Sequence, residues 1–129
     1  MEKLVKKTCL DTDVIIELLK NNEEIKKKIE ALNAEFYTTT INTFELWSGR
    51  KENEENTIKN LLSWLNIQSL NKESAYKAGD IRIKLKKQGL DIEFRDIFIA
   101  SICIENDLEL LTYNKKHFER MQQFGLKLV

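Results

Sequence analysis

Residues 8–19 read Thr-Cys-Leu-Asp-Thr-Asp-Val-Ile-Ile-Glu-Leu-Leu, and this stretch is the clearest indication of the fold class. Its first three residues predict a β-strand, and residues 14–19 predict a helix. Asp11 lies between the two, at the carboxyl end of the strand. A strand that turns at once into a helix is typical of a parallel sheet, because the helix carries the chain back to start the next strand.

The same alternation of strand and helix continues along the chain. Short β-type runs predict five strands, at residues 8–10, 35–38, 67–70, 109–112 and 126–129. Strands that alternate with helices long enough for crossovers predict an α/β fold, a three-layer α/β/α sandwich around a mainly parallel central sheet. In an open sheet of this kind, ligands bind outside the carboxyl ends of the strands.

Apolar stripes predict the helices between these strands. Asn22 can cap one helix, residues 58–65 carry the stripe of a second, and residues 72–88 form a third. The inward positions of the third helix are Ala75, Ala78 and Leu85, and Gly89 follows its end. Residues 97–104 are apolar all round, so we expect them to form the central buried helix.

Composition limits the classes of protein that the chain can be. It carries 21 Lys and Arg residues against 21 Asp and Glu residues, which argues against holding nucleic acid mainly through a strongly basic surface but allows a local groove. With 42% hydrophobic residues and no proline, we expect a single domain over residues 1–129. Asp11 and Asp13 interrupt the N-terminal apolar stretch, and no apolar run approaches the ~20 residues of a membrane span. We therefore expect a cytoplasmic protein without membrane contact.

Cysteine and histidine usage excludes several chemistries. Cys9 and Cys103 lie far apart among apolar residues, with none of the paired spacings of a zinc site, so we expect buried, reduced thiols. His117 is the single histidine, and no Gly-x-Ser-x-Gly elbow accompanies it. Covalent nucleophilic hydrolysis is therefore poorly supported.

Three acidic residues follow predicted strands or open predicted helices. Asp11 follows the first strand, Glu45 lies in the helical stretch 41–50 on a face that looks inward, and Asp96 opens the apolar helix. Each has an ordinary structural explanation: a helix cap by Asp11, Thr12 or Asp13, an ion pair of Glu45 with Arg50 or another base, and favourable interaction of Asp96 with the helix dipole. One shared site explains all three together.

Such a shared site has a definite chemistry. Clustered carboxylates repel one another and stay ionised together only around a cation. Ligation by oxygen alone, without His or Cys, selects Mg²⁺ or Mn²⁺. A site of this kind can activate a water for attack on a phosphodiester, which is the chemistry of a metal-dependent nuclease.

Four segments make the chain resemble a PIN-domain ribonuclease, specifically a VapC-type toxin of a toxin–antitoxin pair. They are CLDTDVIIELL, TTTINTFELWSG, GLDIEFRDIFIAS and LELLTYNKKHF, in the order and spacing of that family. The resemblance implies a Mg²⁺-dependent endoribonuclease in which Asp11, Glu45 and Asp96 bind the metal while Thr12 and Thr112 orient carboxylates. It also implies a homodimer and a small cognate antitoxin whose tail fills a groove beside the active site.

The sequence departs from the family at the fourth acidic position. Asn114 stands where the family often has Asp, so the resemblance implies one firm Mg²⁺ and a weaker second, with Asn114 assisting at the site. Asp13 and Glu119 are possible auxiliaries, although Asp13 is expected to cap its helix. We expect the loop acids Asp91 and Glu93 to be solvated.

Basic and aromatic residues near the acids are candidates for RNA contacts. The basic candidates for phosphate contacts are Arg50, Arg95, Lys115 and Lys116, each of which can equally be ordinary solvated surface. Tyr113 can stack on a base, although packing at the strand end is the more common role. Trp47 and Trp64 can line the antitoxin groove, but we expect core burial for both.

Two other classes of protein share parts of this pattern. A receiver-type phosphoacceptor domain has a similar length and sheet, but it needs an Asp at the end of its middle strand. Here residues 67–70 are followed by Asn-Lys-Glu, so that interpretation fails. A catalytically weak or inactive PIN-like module that binds RNA or protein stays open because Asn114 replaces the fourth acid.

Overall fold

The computed structural model describes residues 5–129. Strands and helices alternate through this range. The strands are β1 (Lys7–Leu10), β2 (Glu35–Thr39), β3 (Asn66–Gln68), β4 (Glu109–Leu111) and β5 (Lys127–Leu128). The α-helices are α1 (Thr12–Leu19), α2 (Glu23–Leu32), α3 (Thr40–Ser48), α4 (Glu55–Ser63), α5 (Lys72–Lys87), α6 (Phe94–Glu105) and α7 (Lys115–Phe118). A 3₁₀-helix, Glu119–Phe124, precedes β5.

The strands form one parallel sheet in the order β3-β2-β1-β4-β5. The central strand is β1, where Cys9 lies between Tyr37 of β2 and Leu110 of β4. The chain runs outward from β1 through β2 to β3 and then returns to the other side of β1 at β4. This reversal opens a crevice between the carboxyl ends of β1 and β4, where ligands bind in sheets of this type.

Successive side chains of the central strands pack into two separate hydrophobic cores, one on each face of the sheet. Cys9 and Leu110 belong to a core with α5, α6 and the 3₁₀-helix. Leu10 and Leu111 belong to a core with α1, α2, α3 and α4. Because successive side chains of a strand point to opposite faces, helices cover both faces of the sheet. The predicted three-layer α/β/α sandwich is confirmed, although β3 ends at Gln68 rather than at residue 70.

Helix α6 is the buried centre of the first core, as its apolar sequence predicts. Its residues Ile99, Ala100 and Cys103 have no exposed surface. The helix begins at Phe94 rather than at residue 97, so Asp96 is its third residue. Cys103 and Cys9 are free and buried, as expected. A hydrogen bond with Cys103 and burial raise the pKa of Cys9, which keeps it as a thiol.

The inward face of α5 differs from the prediction at one position. Ala75 is exposed, and Ser74 is buried in its place. Asn71 caps the helix by accepting a hydrogen bond from the Ser74 backbone, which turns Ser74 inward and sets the buried face at Ser74, Ala78, Ile81 and Leu85. Gly89 follows the helix with a φ of +75°, as predicted.

Two aromatic side chains expected to be packed are exposed. Trp64 is 83% exposed and Tyr113 is 56% exposed. Trp64 lies two residues after the buried Leu62, about 200° around the helix, so it points away from the core. Trp47 is partly buried against the second core, in line with its prediction.

Within residues 5–129, no helix is long and apolar enough to cross a membrane.

Candidate active site

Asp11 is the central acid of the crevice. It follows the last residue of β1, is fully buried, and caps α1 by accepting a hydrogen bond from the Thr12 backbone at 2.8 Å. Thr112, just after β4, donates its hydroxyl to the other oxygen at 2.7 Å. The cap therefore falls to Asp11, and the prediction that Asp13 caps this helix is wrong. Asp13 already lies inside the first turn of α1.

Glu45 reaches the crevice from α3. Thr39 at the end of β2 caps this helix in a capping box with Asn42, which fixes where the helix begins. Glu45 then lies one turn into the helix, and its Oε1 accepts the Thr12 hydroxyl at 2.6 Å. Its Oε2 accepts the Nε–H of Arg95. Glu45 is thus paired with a base, as one of its structural explanations expects.

Asp96 completes the group of acids from the first turn of α6. Its Oδ1 accepts a hydrogen bond from Arg95 Nη1 at 2.6 Å. Its Oδ2 lies 3.6 Å from Nδ1 of His117 on α7. Burial raises the pKa of Asp96, and the hydrogen bond and charge of Arg95 offset this only in part.

One guanidinium joins all three carboxylates. Arg95 donates through Nε to Glu45, through Nη1 to Asp96 and through Nη2 to Asp11, the last at 2.8 Å. Burial lowers the pKa of Arg95, but its hydrogen bond to Glu45 and the charge of Asp11 outweigh burial and raise the pKa overall. Arg95 therefore stays charged and contacts the acids, rather than standing as a solvated phosphate ligand. Arg50, the other arginine candidate, pairs with Glu55.

Neutral side chains hold the acids in place. Thr12 and Thr112 donate to carboxylate oxygens, as the resemblance implies. Asn42, which the sequence analysis missed, is fully buried and donates to Asp11 Oδ1 at 3.0 Å and to the Thr12 hydroxyl at 2.9 Å. Its signal in the sequence is the Thr39-x-x-Asn42 capping spacing, together with its place three residues before Glu45 on the same helix face.

Asp13 and Asn114 form a separate corner beside this group. Asp13 Oδ2 accepts hydrogen bonds from the Tyr113 backbone at 3.2 Å and from Asn114 Nδ2 at 3.3 Å. Asp13 Oδ1 is buried and has no hydrogen-bond partner in the described part of the chain. Burial and the charge of Asp11 raise the pKa of Asp13, although backbone hydrogen bonds oppose this. The Asn114 side chain thus contacts Asp13 and makes no hydrogen bond to Asp11, Glu45 or Asp96.

Other acids named in the sequence analysis are exposed. Glu119 begins the 3₁₀-helix at the surface, and Asp91 and Glu93 lie exposed before α6, as expected for solvated loop charges.

Two cavities flank the acids. One of about 300 Å³ is lined by the acids Asp91, Glu93 and Asp96 together with Lys116, His117 and Arg120. A second, of about 420 Å³, is lined by Thr112, Lys28, Tyr113 and Lys115. Lys116 and His117 line both cavities, and Tyr113 lines the second, so basic side chains lie near the carboxylates.

The carboxylate oxygens of Asp11, Glu45 and Asp96 are suitable ligands for a hard cation, but in this structure they bind Arg95. No group of three or more His, Cys, Asp or Glu side chains is arranged as metal ligands among residues 5–129. Even so, the oxygens of Asp11, Glu45 and Asp96 converge on a positive charge, and oxygen-only ligation is what Mg²⁺ and Mn²⁺ prefer. The donor set therefore fits a divalent cation in its chemistry, at a position that Arg95 occupies.

The chain is similar in sequence and in structure to known proteins. Residues 8–123 match the model of the PIN domain family. Ribonuclease VapC1 of Methanocaldococcus jannaschii is 33% identical over 129 residues, covering 99% of this chain and 90% of its own. The structure of VapBC2 from Rickettsia felis, bound to a DNA fragment from their promoter, contains a similar chain with a TM-score of 0.84 and 27% identity, covering 95% of this chain and 97% of that one. A toxin-antitoxin complex from Klebsiella pneumoniae contains another, with a TM-score of 0.74 and 26% identity over 86% of this chain and 89% of that one.

Proposed function

The chain belongs to the PIN domain family, and from this premise we propose that it is a Mg²⁺-dependent endoribonuclease, the toxin of a toxin–antitoxin pair. Ribonuclease VapC1 and the toxin-antitoxin complex among its relatives support this class of function. The single observation that carries the proposal is the convergence of Asp11, Glu45 and Asp96 on one positive charge at the sheet crevice. Bringing carboxylates together in this way costs folding free energy through their mutual repulsion, unless a cation binds between them.

In this proposal Asp11, Glu45 and Asp96 hold Mg²⁺, with Mn²⁺ as a substitute. When bound, the cation supplies positive charge that activates a water and stabilises the charge developing on the phosphate. Thr112, Thr12 and Asn42 keep the ligand oxygens in position through the hydrogen bonds described above. Ligands held this way need little rearrangement when the cation and substrate arrive.

The two cavities suggest where the RNA strand lies. Phosphates on one side of the scissile bond meet Lys116, His117 and Arg120, and those on the other side meet Lys28 and Lys115. Tyr113 is exposed beside the second group, where a base of single-stranded RNA can stack on it. Asp96 lines the first cavity, and Thr112, which donates to Asp11, lines the second, so in this proposal the cleaved phosphate is the one that bridges the two cavities.

We propose one firm cation site and place Asn114 outside its ligands. Asn114 contacts Asp13, and this pair acts on the site through Asp13 and the neighbouring Thr112, whose hydroxyl accepts the Asn114 backbone N–H at 3.0 Å. Asn114 is thus a positioning residue in this proposal. A second, weaker cation would bind at Asp13, whose Oδ1 is free to accept a ligand.

The partners in this proposal are RNA as the substrate and an antitoxin protein as the inhibitor. The antitoxin follows from the toxin-antitoxin complex in which a similar chain is found. We also propose a homodimer and a cytoplasmic location, where the substrate RNA is available.

Cleavage of a mixed cellular RNA pool tests the function. Purified, antitoxin-free protein is incubated with Mg²⁺, with Mn²⁺ and with EDTA, beside Asp96→Asn and the matched control Asp80→Asn. Asp80 is exposed on α5, so the control loses the same charge away from the acids. We expect metal-dependent cleavage by the wild-type protein and by Asp80→Asn, and none by a folded Asp96→Asn variant.

The contradicting results are equally definite. Cleavage that survives EDTA or the Asp96 substitution would place the activity elsewhere or in a contaminant. Absence of cleavage by folded protein would favour the other interpretation, a PIN-like module that binds RNA or protein without cutting.

A further inference from the structure

Arg95 is bound more completely than a surface arginine. It directs three different nitrogens at three different carboxylates, and Asp11 and Asp96 are 0% and 5% exposed at their side chains. Within residues 5–129, no second lysine or arginine forms an ion pair with these acids. A single guanidinium therefore neutralises part of the charge of the whole group.

The oxygens that bind Arg95 are the oxygens that a divalent cation requires. Asp11 Oδ1 and Asp96 Oδ1 both accept from the guanidinium, at 2.8 Å and 2.6 Å. Mg²⁺ binds carboxylate oxygens at about 2.0–2.1 Å in near-octahedral geometry. Two positive charges held by the same oxygens repel strongly, especially where water is scarce. The guanidinium and the cation are therefore incompatible in this place.

We propose that Arg95 is a built-in counter-ion that competes with the divalent cation, so that the cation binds only when the guanidinium leaves the acids. The inference rests on the proposed function, because it assumes that these acids are the metal ligands. Arg95 is the second residue of α6 and its side chain is 26% exposed, so it can swing toward solvent without movement of the helix. In the metal-free protein Arg95 offsets the repulsion among the acids.

Two consequences separate this role from that of an ordinary structural ion pair. Removal of the Arg95 charge leaves the acids uncompensated, so the metal-free protein loses stability. The same removal frees the ligand oxygens, so the cation binds more tightly. A residue that merely held the site together would weaken both stability and cation binding when it is replaced.

The test compares wild type, Arg95→Gln, Arg95→Lys and the matched control Arg82→Gln, all freed of metal with EDTA and then dialysed. Arg82 is exposed on α5, its guanidinium lies over the Phe94 ring, and among residues 5–129 it forms no ion pair with Asp11, Glu45 or Asp96. Mn²⁺ affinity is measured by calorimetry at pH 7.5, and the melting temperature is measured with EDTA and with saturating Mn²⁺. We expect Arg95→Gln to bind Mn²⁺ at least tenfold more tightly than wild type and to melt lower in EDTA, with Arg82→Gln unchanged. Arg95→Lys should fall between, since lysine presents one compact charge.

A second measurement covers the case in which Arg95→Gln does not fold. In the wild-type protein, the Arg95 Nε–H resonance, assigned by its loss in Arg95→Lys, is followed by NMR while Mg²⁺ is added. We expect a protected signal in EDTA that exchanges with water once Mg²⁺ saturates the protein.

The outcomes distinguish the two proposals. Equal or weaker Mn²⁺ binding by folded Arg95→Gln, or an Nε–H signal unchanged by saturating Mg²⁺, would overturn the counter-ion role and leave the metal-dependent nuclease standing. Failure of every variant, wild type included, to bind Mn²⁺ would overturn both.

Discussion

Asp11 and Asp13 lie two residues apart, yet their carboxylates have opposite surroundings. The two oxygens of Asp11 accept hydrogen bonds from Thr12, Asn42, Arg95 and Thr112. Asp13 accepts from Tyr113 and Asn114 on one oxygen only, and its other oxygen is buried without a partner in the described range. A guanidinium contacts the buried carboxylate of Asp11, whereas only a backbone N–H and a side-chain amide donate to that of Asp13.

The difference comes from position at the strand end. Asp11 directly follows β1 and faces the crevice beside β4, where α3 and α6 bring further acids. Asp13 is about 200° further around α1, so it faces the turn after β4 instead. The Asp11 carboxylate therefore contacts the Arg95 guanidinium, whereas the Asp13 carboxylate contacts the Tyr113 backbone N–H and the Asn114 side-chain amide. In the proposed function Asp11 is therefore a ligand of the cation, and Asp13 is an accessory acid.

The largest expected contrast is in RNA cleavage. Asp11→Asn should lower the single-turnover cleavage rate about 1,000-fold, because one charge that holds the cation is lost. Asp13→Asn should change the rate by less than about 10-fold, because in the proposed function Asp13 is not a ligand of the firm cation site. Both rates are measured with saturating Mg²⁺ on the same RNA, and circular dichroism verifies folding. A comparable loss in both variants would erase the distinction between the two acids.

We also expect substitutions at Asp11 and Asp13 to differ in their effect on the free energy of unfolding. Asp11→Ala removes one of the three carboxylate partners of Arg95, leaves the buried donors Asn42 and Thr112 without their acceptor and removes a helix cap, so we expect a loss of about 3 kcal/mol in the free energy of unfolding. Asp13→Ala removes two longer hydrogen bonds and should cost about 1 kcal/mol or less. Urea denaturation of the metal-free proteins measures both. A larger cost at Asp13 than at Asp11 would contradict the assignment of the strong contacts.

A hydroxyl beside Asp11 should matter more than a similar one on α3. Thr112→Val removes a buried donor to a carboxylate and should cost about 2 kcal/mol. Thr43→Val removes a bond from the Thr43 hydroxyl to the Thr39 carbonyl and should cost about 0.5–1 kcal/mol. Thermal unfolding of the two variants, matched in chemistry, gives the comparison. Equal losses would show that the Thr112 contact adds nothing to Asp11.

The smallest effect concerns pH and Asp13. Burial and the Asp11 charge raise the pKa of Asp13, so the folded protein favours its protonated form. The resulting stability is present below the ordinary Asp pKa of about 3.9 and is lost as the pH rises through the raised value. Asn at this position does not ionise. The stability of Asp13→Asn relative to wild type should therefore increase with pH above about 4 and then level off, measured by urea unfolding in EDTA. A difference that shrinks as the pH rises would contradict the raised pKa.

The sequence predicts the fold because its signals are local. Apolar runs of three to five residues alternate with amphipathic stripes, and Gly89 and Asn22 mark helix boundaries where the structure has them. The convergence of Asp11, Glu45 and Asp96 is also predictable, because strand ends of a parallel sheet share one edge. The errors concern which residue of a single helical turn faces inward. At Ala75 the prediction fails because the cap at Asn71 turns Ser74 inward instead.

Local sequence patterns do not predict which side chains contact one another within the crevice. Arg95 contacts Glu45 and Asp11, which are 50 and 84 residues away in the sequence. Its neighbour Asp96 gives no hint whether the guanidinium points to solvent or to the acids. Asn114 stands at the expected place along the chain, but the turn after β4 directs its side chain to Asp13. Such contacts depend on the packing of three elements at once.

A crystal structure of the protein with Mn²⁺, with the metal located by anomalous scattering, would show whether the cation replaces Arg95 at the acids. We expect one strong anomalous peak among Asp11, Glu45 and Asp96, with the Arg95 guanidinium displaced from the acids. A peak only beside Asp13 and Asn114, or Arg95 still bound to the three acids in saturating Mn²⁺, would contradict this expectation.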